Sequence, residues 1–392
     1  MKITNIEIFH CDAGWRPWSF IKITTDEGLS GWSECTDSHG SPRGLSGVVA
    51  DLSKHLIGRD PSAFEKIYWD LYSATRQSVG SIIQKTIGGI ENALLDIKAK
   101  ALGIPVYELF GGPVRDRIPL YWSHWGTTRV RAAAAAGVAP IKNLQDVAGF
   151  VSETKQLGFS AVKTNVILWQ GEPAVYMPGF GKSFGGPELK ITSNIIDNLV
   201  AYIGTIRQAG GENFGIMLDA GFNFRTDGYK QIAKALSPFR LTWLEVDSYN
   251  PEALASIRAT ADMPICSGED LYTSRQYRPF FENQAMDIAS VDVLWNGFSQ
   301  SKKISDLAEI YEMNVTPHNY YSHFATFMSA QFAASAPNFH SLEVDVDDVP
   351  WKDELISQQP EIENGWLKIP TKPGWGADIN EEVLKAHPWP KN

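Results

Sequence analysis

Three carboxylates stand out by their placement. Asp219, Glu245 and Glu269 each close a short apolar run, in FGIMLDA, LTWLEVD and MPICSGE. If those runs are successive strands, the three side chains converge. Converging carboxylates repel one another unless a cation sits among them or some keep their protons. Oxygen ligands without Cys or His suit a hard ion, most simply Mg²⁺, with water or substrate completing about six positions. Taken singly, each could cap a helix or pair with a Lys or Arg; three in register favour the metal.

A second group offers proton chemistry. Asp292 in DIASVDVL and His318 in MNVTPHN end neighbouring runs. A carboxylate beside an imidazole fixes its tautomer and raises its basicity, which suits general acid or base work. Lys163 and Asn165 end FSAVKTNV, and Glu343 lies in HSLEVDV. Lys163 reads as a cation for a substrate carboxylate, as a base if its pKa is depressed, or as a solvated end-cap.

These residues need elements to hold them. The apolar runs are IPLYWS, FSAVKTNV, FGIMLDA, LTWLEVD, MPICSGE, DIASVDVL, MNVTPHN and HSLEVDV, separated by amphipathic helical stretches. From the third onward they recur about every 25 residues, the rhythm of βα units, and eight such units close into a (β/α)₈ barrel. Chemistry in that fold sits at the C-terminal ends of the strands, where all the residues above fall. Residues 116–358 are therefore read as the barrel. A Gly- and Pro-rich insert over about 168–190 reads as a functional loop, often a lid, with a tolerated surface insertion as the alternative. Residues 1–115 read as a separate α+β capping unit: a β-meander over 1–35, with turn Asp26-Glu27-Gly28, then helices from about Leu45 to Ala101. Residues 359–392 are expected to pack back on the cap.

Composition narrows the function classes. The 392 residues are 43% hydrophobic and 20% charged, ordinary globular material. A net charge of −10 without a basic run argues against nucleic acid as partner. No run of about 18 apolar residues predicts a spanning helix, and MKITNIEIFH reads as a strand rather than a signal peptide. Cys11, Cys35 and Cys266 are few and far apart, so no disulfide framework is expected and a cytoplasmic location follows. Symmetric homo-oligomers are the default expectation for such a chain.

The runs AVKTN, LDAGFN, WLEVD, SGED, SVDVLWNG, TPHN and SLEVD, in that order, resemble the mandelate racemase subgroup of the enolase superfamily. The meander, ALLDIKAKALGIPVYELFGG and the closing PTKPGWG extend the resemblance over nearly the whole chain. It implies a modified (β/α)₈ barrel with an N-terminal capping domain, and Mg²⁺ held by Asp219, Glu245 and Glu269. It implies that a base removes the proton α to a carboxylate and that cations stabilise the enediolate. His318 with Asp292 would supply the base. Lys163 would meet the substrate carboxylate or the enediolate, and Glu343, as a protonated acid, would hydrogen-bond the same region. Trp15, Arg16 and Trp18 in the first cap loop, with the insert, would close over the substrate. Asn165, His124, Asn223, Tyr320 and His323 complete the expected substrate contacts.

Three departures shape the expected reaction. Mandelate-type members carry K-x-K where this chain has Lys163-Thr164-Asn165. An amide takes no proton at neutral pH, so two-base racemisation is disfavoured and dehydration, which needs one base and one acid, is favoured. The K-x-N pattern resembles galactonate-type acid-sugar dehydratases, whose acid histidine two residues after the first metal ligand is here Gly221. The acid is thus open among His318, Tyr320, Tyr321, His323, Tyr176 and His124. Glu245-Val246-Asp247 replaces the usual Glu-Glu-Pro and keeps the ligand. The leading expectation is a Mg²⁺-dependent dehydratase acting on a small acid-sugar carboxylate. Epimerisation or cycloisomerisation with Lys163 as second base is one alternative, and a catalytically silent acid-binding protein is the other.

Overall fold

The computed structural model describes residues 1–37, 41–179 and 186–389. An antiparallel meander opens the chain: β1 (Ile3–Asp12), β2 (Pro17–Thr25) and β3 (Ser30–Glu34), in the order β1-β2-β3. Helices Pro42–Ser53, Phe64–Thr75 and Ser81–Leu102 cover one face and enclose a core that includes Ile3, Ile21, Leu45, Ile67 and Ile90.

Helix Ser81–Leu102 is buried on almost every side, and it joins cap to barrel. Gly88 lets it touch backbone, because a Cβ there would lie 2.8 Å from Trp295 O and Gly297 N. Asn92 then donates to Val293 O at 3.0 Å and accepts from Phe298 N at 2.9 Å. The short helix Val293–Asn296 that follows Asp292 is thereby clamped from the cap side.

All eight runs expected to be strands are strands. β4 (Arg117–Ser123) and β5 (Ala161–Asn165) come first, and a hairpin of β6 (Ile167–Leu168) and β7 (Ala174–Val175) leaves the barrel. Then follow β8 (Gly215–Asp219), β9 (Trp243–Glu245), β10 (Ile265–Ser267), β11 (Ile288–Val291), β12 (Asn314–Pro317) and β13 (Leu342–Asp345). Neighbours pair in parallel from β4 round to β12, and β13 pairs with β4. Bonds from Val315 N to Asn338 O and from His340 N to Val315 O, both 2.9 Å, close the ring between β12 and β13. Tyr121, Met217, Trp243, Cys266 and Ile288 fill the barrel interior. Of the insert over 168–190, residues 180–185 lie outside the described residues.

The C-terminal segment meets both units. β15 (Trp366–Lys368), which pairs with β14 (Ile362–Glu363), adds antiparallel to the start of β4. Farther on, Trp375 donates to Trp32 O at 3.1 Å, and Glu381 pairs with Lys22 at 2.5 Å. Among the described residues, no helix is long and apolar enough to cross a membrane.

Candidate active site

The C-terminal ends of the barrel strands and the first cap loop enclose a cavity of about 310 Å³. Strand geometry explains its polar floor. Successive side chains on a strand point to opposite faces, so the last inward residue of each strand meets its counterparts at the barrel mouth.

Asp219, at the end of β8, accepts from Asn165 Nδ2 at 2.8 Å and Gly221 N at 2.9 Å. Glu245, at the end of β9, lies beneath the cavity and accepts from Lys163 Nζ and Trp243 Nε1, both at 3.1 Å through Oε2. Its Oε1 is buried without a hydrogen-bond partner. Asp247 lies two residues on, in the cavity wall, and its Oδ1 is also buried and unpartnered. Oxygens of Asp247, Glu269 and Asp270 all lie within 4.8 Å of one another. Burial, then the charge of Glu245, pushes the Asp219 pKa up to about 6. Burial and neighbouring carboxylates raise Asp247 and Glu269 well above the usual range. Crowded acids with two orphaned oxygens and only oxygen donors fit a hard divalent cation.

Lys163 is held by two carboxylates, Glu245 at 3.1 Å and Glu343 at 2.9 Å. Burial favours its neutral form, but the charges of Glu245 and Glu343 outweigh it and raise its pKa well above the ordinary lysine value. Lys163 is thus a fixed cation, which differs from the depressed-pKa base entertained from sequence. For Glu343, burial is outweighed by Lys163 and His318, and its pKa falls to about 2. It is ionised.

His318 follows β12 and faces the cavity. Its Nδ1 is 2.7 Å from Asp292 Oδ2, and its Nε2 is 3.4 Å from Glu269. Asp292 is fully buried and firmly fixed: Tyr321 donates to Oδ2 at 2.5 Å, and Trp295 N donates to Oδ1 at 2.7 Å as the cap of the next helix. Burial lowers the His318 pKa, but the hydrogen bond and charge of Asp292 more than offset it, and the result is raised. An Nδ1–H directed at Asp292 leaves Nε2 toward the cavity as the basic nitrogen.

Other expected contacts divide. Asn165, Asn223, Trp15, His124 and Tyr320 line the cavity. His124 holds a left-handed backbone (φ 46°) and sits 3.0 Å from Asp345. Three expected contacts are corrected. Trp18 has no exposed surface and packs edge-on against Trp351, in the core. Arg16 is buried and braces the loop by pairing with Asp348 at 2.8 Å and Asp345 at 3.3 Å. His323 bonds Asp353 at 2.8 Å and lies outside the cavity wall. An alternating loop sequence gives no sign of which aromatic faces inward. Among the acid candidates, Tyr321 serves Asp292, and Tyr176 stacks on Phe224 away from the cavity wall.

Sequence reasoning missed Asp247, Asp270 and Arg131, which all line the cavity. The signal for Asp247 was available: strand periodicity of two places it on the same face as Glu245.

The cap and barrel also match known families. Residues 12–111 match the N-terminal domain of mandelate racemase / muconate lactonizing enzyme, and residues 146–383 match the enolase C-terminal domain-like family. A D-galactonate dehydratase of Ralstonia pickettii is 30% identical, over 98% of this chain and 94% of the relative. A D-xylonate dehydratase of Haloferax volcanii is 27% identical, over 98% and 89%. Among solved structures, a candidate L-alanine-DL-glutamate epimerase from Burkholderia xenovorans, bound to magnesium and fumarate, shares 42% identity with a TM-score of 0.96, over 99% and 96% of the two chains. A candidate dehydratase from Mesorhizobium loti shares 28% with a TM-score of 0.86, over 100% and 99%.

Proposed function

The chain belongs to the mandelate racemase / muconate lactonizing enzyme family of the enolase superfamily, and from that membership we propose that it is a Mg²⁺-dependent, cytoplasmic dehydratase of acid sugars. One observation carries the reaction type. The dyad of His318 on Asp292 at 2.7 Å faces the cavity, and at the end of β5, where two-base members carry a second lysine, stands Asn165, whose amide is tied to Asp219 at 2.8 Å and Thr127 at 2.9 Å; the other imidazole in the wall, His124, sits on Asp345 at 3.0 Å. An amide in place of that lysine suits elimination better than two-base inversion. The dehydratase relatives support the substrate class, and the magnesium and fumarate in the Burkholderia xenovorans protein support a metal with a small carboxylate.

Asp219, Glu245 and Glu269, with Asp247 beside them, would hold the ion, which supplies positive charge to the substrate carboxylate and to the charge that develops on proton loss. Lys163, fixed by Glu245 and Glu343, presents a cation to the same carboxylate. His318 Nε2 takes the proton from C2, and the electron pair of that C–H bond moves toward the carboxylate. The pair then forms the C2–C3 double bond as the C3 hydroxyl leaves. That hydroxyl takes the proton back from His318 and departs as water, and the enol becomes a 2-keto-3-deoxy acid.

The test is proton NMR of the protein with Mg²⁺ and a panel of acid sugars in D₂O. A 2-keto-3-deoxy product with deuterium at C3 is expected. The 42% identical candidate epimerase favours a second reading, isomerisation through the same intermediate. Exchange at C2 without loss of water would select it and overturn dehydration.

A further inference from the structure

Almost every cation in the cavity wall is already matched. Lys163 pairs with Glu245 and Glu343, and Lys85 with Asp37 at 3.0 Å. Arg16, packed behind the wall, is spent on Asp345 and Asp348. Arg131 is the exception. It ends the helical turn Thr127–Arg131 after β4, and its guanidinium lies over the Trp15 ring, 4.0 Å from the centroid. Among the described residues its one hydrogen-bond neighbour is Met177 Sδ at 3.8 Å. Among the described residues no carboxylate lies within 4.0 Å of it, in a protein with ten more acidic than basic side chains.

A guanidinium has five N–H donors in a planar fork, and a thioether is a weak acceptor. Stacking on Trp15 satisfies the face of the group and leaves its edge for an anion. Trp15 also carries Arg16 at 4.4 Å and stacks with Tyr320 at 5.9 Å, so the ring that supports Arg131 is itself held on several sides. The cavity therefore has two cationic places. Lys163 lies beside the metal-type acids, and Arg131 lies on the wall formed by the first cap loop.

We propose that Arg131 is an anion subsite for the far end of the substrate, and that the substrate is a dicarboxylic acid: one carboxylate at Lys163 and the acid cluster, the other at Arg131. This rests on the acid-sugar reading above and narrows it from acid sugars in general to those oxidised at both ends. A carboxylate is favoured over a phosphate on charge. One unmatched cation balances one negative charge, and the second guanidinium nearby, Arg16, is already neutralised.

Binding tests this without requiring turnover. The Mg²⁺-loaded protein is titrated calorimetrically with succinate, glutarate and adipate, with monocarboxylates of matching length, and with 3-phosphonopropionate. The best dicarboxylate is expected to bind at least tenfold tighter than its monocarboxylate. Arg131→Gln should cut that ratio at least tenfold, and Arg131→Lys should recover part of it. A ratio near one, a ratio unchanged in Arg131→Gln, or tighter binding of the phosphonate would overturn the proposal. The two readings fail separately. Dicarboxylate preference with no dehydration of any acid sugar would sink the reaction and keep the subsite. Dehydration confined to acid sugars with a single carboxylate, with no such preference, would do the reverse.

Discussion

The chemistry proposed here rests on how tightly two side chains are held. Asp292 accepts three hydrogen bonds, from His318, Tyr321 and Trp295 N, and so cannot turn away from the imidazole. His318→Asn removes the base, and turnover and C2 proton exchange should both vanish while Mg²⁺ still binds in a calorimetric titration. Residual exchange at the parent rate would free His318 of its role. Asp292→Asn keeps an acceptor for Trp295 N but no longer stabilises an imidazolium, and its kcat should fall by about 10²–10⁴-fold, the usual contribution of a positioned base. The parts of the cavity that were legible in the sequence are those set by the strand runs: Asp219 ends β8, Lys163 lies two residues before the end of β5, and Glu269 and His318 follow β10 and β12 closely. Arg131 was not, because its role comes from Trp15, which reaches it across more than a hundred residues of chain. Trp18 misled for the same reason, since whether a loop aromatic faces the cavity or the core is decided by what packs behind it.

At the scale of elements, the seam between cap and barrel holds buried acids that the reaction does not use. Glu91, on helix Ser81–Leu102, faces Gly297, whose positive φ of 83° and missing Cβ make room for its carboxyl. Glu34, at the end of β3, accepts from Ser322 at 2.5 Å and Thr36 at 2.7 Å. Burial raises both pKa values to about 7 from 4.5. An acid with a raised folded-state pKa binds its proton more tightly when folded. Its contribution is full below the unfolded pKa and is lost as pH rises through the folded one. Stability should therefore fall between about pH 4.5 and 7 on account of these two groups. Glu91→Gln and Glu34→Gln should each flatten that part of the profile, read from urea midpoints at pH 5 and pH 8. An unchanged midpoint difference in both variants would show that the seam does not carry it. The seam's helices were legible from their apolar period, but Glu91 was not, because a Glu within an amphipathic helix reads as solvent-facing until its partner surface is known.

For the whole molecule, the barrel mouth sets stability against function. The closed ring brings Asp247, Glu269 and Asp270 within 4.8 Å of one another and sets Asp219 and Glu245 close enough to add to their repulsion, on a chain whose net charge is already −10. Their mutual repulsion opposes folding of the metal-free protein, and a cation that binds only the folded chain reverses that cost. The gain is RT ln(1 + [L]/Kd), about 2.7 kcal/mol at a hundredfold excess over Kd. Mg²⁺ should accordingly raise Tm by several degrees in a thermal scan, and a chelator should bring it back. Any salt screens a net negative charge, so the comparison requires NaCl at matched ionic strength. Asp219→Asn and Glu269→Gln should raise the Tm of the metal-free protein, by relieving the repulsion, and should lose most of the Mg²⁺ shift. His318→Asn should keep the shift, since its side chain serves the proton and not the ion. A Mg²⁺ shift no larger than that of NaCl would remove the metal from this site, and the crowded carboxylates would then have to persist as protonated acids.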